Sequence, residues 1–136
     1  MKALILTLFI AVSSISLSAQ DVTPAKAIES VDYKNLKAFI GKEVYVVDSV
    51  YSGRAFDNHT LLNIGGAFPN QLLTVFVDKK DYPSFSDEVI KLFLHKKINI
   101  VGKLTEYNGK VQIILTDPKK QIDQKVLKQG LYTVAR

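Results

Sequence analysis

Hydrophobic residues alternate with polar ones in the same way along two stretches of this chain. Over 42–53 and 96–107, Val44, Val46, Val47 and Val50 fall in step with Ile98, Ile100, Val101 and Leu104. A period of two marks a strand with one buried face. Both copies break that period midway, near Asp48 in the first and at Gly102 in the second, which predicts a bend or bulge in each. Each copy then runs into a glycine turn beside a tyrosine: Tyr51-Ser52-Gly53 and Tyr107-Asn108-Gly109.

Between the copies the pattern predicts strands over 59–64 and 72–77. Gly65-Gly66 and Pro69 lie between them and mark a loop, since proline cannot donate to a central ladder. In the second of these strands Thr74 and Phe76 share one face, while Leu73, Val75 and Val77 share the other. Ser86, followed by Asp87 and Glu88, has the composition of a helix start. The apolar stripe Val89, Ile90, Phe93 and Leu94 follows it. A fifth strand covers 111–116 and stops at Asp117-Pro118. Flanking these, a short helix is predicted over 33–39, stopped by Gly41, and a capping helix near 122–128.

Three strands, a helix and two more strands is the order of an OB-fold, a five-stranded Greek-key barrel. The fold expected is therefore all-β: a barrel over about 42–117, with a helix between its third and fourth strands and a short N-terminal helix. An open α+β sheet is the alternative, and it gives no reason for the paired bends.

The first residues read as a separate unit. Lys2 precedes an apolar run broken only by Thr7, and Leu17-Ser18-Ala19 supplies a small-residue cleavage site. The run is too short to span a bilayer. Residues 1–19 are thus expected to be a signal peptide, with 20–136 a single exported domain, periplasmic or secreted. The chain has no cysteine, which rules out a lipid anchored through a thiol and leaves the core to hold the domain without disulfides. Without Lys2 the 18 basic residues become 17 against 13 acidic ones, a net charge of +4. That excess is mild and does not suit a protein built to package nucleic acid.

Three segments carry a resemblance to a known family: Ile40-Gly41-Lys42-Glu43-Val44, the stretch from Leu62-Asn63-Ile64-Gly65-Gly66 through Ala67-Phe68-Pro69-Asn70-Gln71, and Gly102-Lys103-Leu104-Thr105-Glu106-Tyr107-Asn108-Gly109-Lys110-Val111-Gln112-Ile113. Over about 33–122 the chain resembles small exported bacterial OB-fold proteins of the nucleic-acid-binding-like type, whose domains occur alone or beside secreted nucleases. The resemblance implies binding of single-stranded DNA or RNA on the face of the second and third barrel strands.

Such a face needs flat side chains for bases and cations for phosphates. Tyr45, Tyr51, Phe68, Phe76 and Tyr107 are the candidate platforms, and Lys42, Arg54, Lys103 and Lys110 the candidate phosphate partners. Each aromatic also has a plain structural reading: Tyr51 and Tyr107 as rim covers, Phe76 as core, Phe68-Pro69 as loop packing. A nuclease of this type is expected to set two arginines beside metal-binding carboxylates, but Arg54 is the one arginine of the expected barrel and the other is Arg136. His59 and His95 are too far apart in sequence for a local metal motif. The function expected is therefore non-catalytic binding without cofactor or metal, with single-stranded nucleic acid as ligand. A protein- or small-ligand-binding module of the cell envelope is the alternative.

Overall fold

The computed structural model describes residues 30–123 and 132–135. The expected signal peptide and most of the expected 122–128 helix lie outside the described residues. Among those described are seven strands: β1 (Ser30–Asp32), β2 (Glu43–Ala55), β3 (His59–Ile64), β4 (Leu73–Asp78), β5 (Lys97–Tyr107), β6 (Lys110–Ile114) and β7 (Tyr132–Ala135). The five predicted from alternation correspond to β2–β6. The extra two, β1 and β7, run parallel to one another, and β7 also pairs parallel with β2 over Val44–Val46. Both are too short to show a period, and their pairing joins segments far apart in sequence.

The ladders of β2–β6 return on themselves. β2 pairs antiparallel with β3, and β3 with β4. β4 runs parallel to β6, β6 antiparallel to β5, and β5 pairs back onto β2. Two strands make this possible by changing partners along their length. β2 pairs with β5 from Glu43 to Ser49 and with β3 from Val50 onward, with a register shift between Val50 and Ser52. β5 pairs with β2 up to Lys103 and with β6 from Leu104. Both changes fall slightly beyond the Asp48 and Gly102 positions expected from sequence, because the neighbouring ladders fix them and composition does not.

Asp48 and Gly102 have other tasks. Tyr33 and Tyr51 donate their hydroxyls to the Asp48 carboxylate at 2.9 and 3.2 Å, and Ser49 N–H donates at 2.7 Å. Tyr33 opens a 3₁₀ helix over Tyr33–Phe39, capped by Asp32, where the short helix was expected. Gly102 lies so close to Ile113 that any Cβ there would collide with the Ile113 methyl.

Inward-facing Val44, Val46, Val50, Leu62, Ile64, Val75, Ile100, Leu104 and Ile113 form one buried core. The segment between β4 and β5 closes one side of it, through a 3₁₀ helix (Lys79–Ser84) and α1 (Val89–Phe93). Val89 is buried, and Ile90, Phe93 and Leu94 pack against the core, as the apolar stripe implied. The helix start differs from the expectation. Ser86 is not the cap; Glu88 is, without a side-chain bond, and its own N–H is taken by the Asp87 carboxylate at 2.7 Å. After β6, α2 (Pro118–Gln121) forms where a strand stop was expected, with Asp117 capping it and Pro118 at its first turn. Ile122 bridges Ile100 and so covers the edge of β5. Among the described residues no helix is long and apolar enough to cross a membrane.

Candidate ligand-binding groove

The period that sends Leu62, Val75 and Ile113 inward turns their neighbours out. Leu61 faces Phe76 across β3 and β4, and Phe76 and Thr74 face Ile114 and Gln112 across β4 and β6. On this outer face lies a cavity of about 470 Å³, bounded by Asn58 and His59 on one side and by Tyr107, Asn108 and Lys110 on the other. A second cavity of about 270 Å³ is lined by Ser52, Gly53, Arg54, Phe56, Leu61, Asn63, Phe68 and Gln71. Leu61 and Gln71 line both, so the two are halves of one groove.

Two turns frame it. Asn108 and Gly109 both hold positive φ, 48° and 73°, the backbone that a tight two-residue hairpin demands and that Asn-Gly adopts readily. This turn fixes Tyr107 and Lys110 at one end. At the other, the 65–71 loop is tied down through Ser52, whose Oγ accepts from Phe68 N–H at 2.9 Å and from Asn63 Nδ2 at 3.0 Å. Thr74 donates to Asn63 Oδ1 at 3.4 Å and completes the chain of contacts.

Along the groove runs a stack of four side chains. The Arg54 guanidinium carbon sits 4.8 Å from the Phe56 ring centre. Phe56 stacks on His59 at 4.6 Å and 13°, and His59 on Phe76 at 5.2 Å and 22°. Both faces of the His59 ring are therefore covered, and only its edge can meet a ligand. Asn58 Oδ1 lies 2.7 Å from His59 Nδ1. An amide oxygen only accepts, so the ring proton sits on Nδ1 and Nε2 is an acceptor while the ring is neutral. Free aromatic faces lie elsewhere, at Phe68 (72% exposed) and Tyr107 (66% exposed).

No carboxylate lines either half of the groove among the described residues; its charged groups are Arg54 and Lys110, one in each half. Asparagine and glutamine side chains supply most of its remaining polarity. The cleft beside α1, about 360 Å³, has the opposite character, with Asp87 and Glu88 on its wall. Phe56 separates the two, lining both the cleft and the groove.

Of the residues singled out from sequence, Arg54, Phe68, Phe76, Tyr107 and Lys110 come together here. Tyr51 does not line the groove and is bonded to Asp48. Tyr45 lies on β2 between Val101 of β5 and Thr133 of β7. Lys103 stands opposite Glu43, and Lys42 precedes β2, both away from this face. Phe76 is outward and stacked, not core. Phe56, His59, Gln71 and Gln112 were not anticipated as groove residues. Outward alternation on β3 and β6 was the available signal for His59 and Gln112. No protein-family model matches the chain, and no curated protein matches it.

Proposed function

We propose that this is an exported, non-catalytic OB-fold protein that binds single-stranded nucleic acid in the groove over β3, β4 and β6. The returning ladder order β2-β3-β4-β6-β5-β2 supports reading those five strands as the OB barrel. The observation that carries the function is the groove itself. It is free of carboxylates, has a cation in each half, and offers open aromatic faces at Phe68 and Tyr107. Phosphates are expected at Arg54 and Lys110, and bases on Phe68 and Tyr107, each stack contributing about 1–3 kcal/mol. With two cations the binding should be weak and only moderately salt-dependent, with a slope of log affinity against log salt of about −1.4.

Fluorescence anisotropy with labelled oligonucleotides at low and moderate salt tests the proposal. Binding that falls with salt and is lost in the Arg54→Ala, Tyr107→Ala double variant is the expected result. No binding at low salt, or an affinity indifferent to both substitutions, rejects it. Turnover of the oligonucleotide with calcium or magnesium would reject the non-catalytic part. The sparse charge favours one second reading, a weakly charged peptide or small ligand, which the same assay separates by competition.

A further inference from the structure

Gln71 lies at the seam shared by both halves of the groove, and its side-chain Oε1 is buried with no hydrogen-bond partner among the described residues. Buried acceptors of this kind are rare in folded proteins and destabilise the free state unless something else supplies a donor. Ser52, on the same cavity wall, shows the complementary condition. Its Oγ already accepts from Asn63 Nδ2 and from Phe68 N–H, which occupies both lone pairs. The hydroxyl proton therefore points away from those two donors, and no described residue accepts it. Residues carrying an unused donor and a buried, unused acceptor thus line one cavity, with the exposed Phe68 ring and the Arg54 guanidinium beside them.

We propose that this half of the groove is a subsite for one nucleobase, with the Gln71 side chain turning its Oε1 out of the wall so that it and the Ser52 hydroxyl hydrogen-bond the base edge while Phe68 covers its face. The assignment rests on the single-stranded nucleic-acid reading above. Every base carries both donors and acceptors on its edge, so the subsite demands a base without selecting one. The flat ring suits Phe68, and the sugar–phosphate that follows it comes within range of Arg54. Gln71 is then a residue kept at some expense to the free fold for the sake of the complex.

The test compares a short single-stranded homopolymer with a fully abasic chain of the same length, on the parent protein and on Gln71→Met, by anisotropy at low salt. The parent should prefer the base-bearing chain, and Gln71→Met should narrow that preference by about five- to tenfold, as loss of one or two polar contacts does. Because the methionine removes an unpartnered buried oxygen, its melting temperature should hold or rise. Phe68→Ala, on a largely exposed ring, should narrow the preference without unfolding the protein. A preference unchanged in both variants overturns the subsite while leaving nucleic-acid binding intact, as does equal binding of the two chains by the parent. A lower melting temperature for Gln71→Met overturns the idea that its oxygen waits for a ligand. Failure of both chains to bind the parent removes this proposal together with the function it rests on.

Discussion

The first halves of β2 and β5 pair with one another, Glu43 with Lys103 through Ser49 with Lys97, and both bury alternate residues in the same core. Their second halves part company. β2 leaves through a register shift to join β3, and carries Ser52 and Arg54 to one half of the groove. β5 leaves past Gly102 to join β6, and carries Tyr107 to the other half. One hydrophobic pattern has thus been used twice to build the interior, and its two continuations supply the two ends of the groove. Coverage differs as well. Val47, one residue past the last β2 position matched by β7, is 37% exposed, whereas its counterpart Val101, whose carbonyl accepts from Gln121, is 8% exposed. Equivalence in sequence therefore extends to the core and stops at the surface.

The comparison breaks hardest at the points where partners change. Leu104→Ala empties a fully buried site and should cost about 2–5 kcal/mol in urea unfolding. Its counterpart Val50→Ala removes fewer carbons from an equally buried site and should cost about 1.5–2.5 kcal/mol. Equal losses would argue that the two bends do not share one core. Next comes Gly102→Ala, whose new methyl meets Ile113; the β-branched side chain has little room to yield, and a loss of about 1–3 kcal/mol is expected.

The groove ends sharpen the contrast through binding. Tyr107→Ala should weaken oligonucleotide binding by about 1–3 kcal/mol with the salt slope unchanged. Arg54→Gln should flatten that slope by about 0.7, which titrations at several salt concentrations resolve. The smallest effect is expected at Lys91, which donates to Glu88 at 2.7 Å in full solvent. That hydrogen bond, and then the carboxylate's charge, raise the Lys91 pKa above 10.5. A raised lysine stabilises below its ordinary pKa and loses that contribution only as pH climbs through the raised one. Melting curves of Lys91→Gln and parent should therefore differ by a constant, barely measurable amount from neutrality up to pH 10.5.

Much of the core was legible beforehand, because a two-residue period survives any detail of partners: Leu73, Val75 and Val77 could point nowhere else. The positions of the bends were less so. Asp48 looked like a break in the pattern, yet the side chain bonds the two tyrosines while the ladder shifts past Val50. The groove was half legible. Arg54, Phe68, Tyr107 and Lys110 advertise chemistry by residue type and by nearness to turns. Gln71 carries no such mark and Gln112 only the outward step of its strand, so their meeting in one groove emerges when β4 and β6 align in parallel. His59 showed no metal-ligand spacing in the sequence, and its place in a stack between Phe56 and Phe76 is visible only in the fold. The short β1 and β7 were invisible because three or four residues hold no pattern.

The seat of β7 has a bearing on how the protein is made. Latest of the seven strands in sequence, it is inserted between the earliest, β1, and β2. Ser30 meets Thr133 across about a hundred residues, a closure whose entropy cost grows with the span. A ribosome must therefore deliver the chain through Ala135 before this sheet can be finished, and β1 has no neighbour among the described strands until it has. Such an arrangement leaves the β2–β6 ladders free to form first and makes the β1 side of the sheet the last to be sealed.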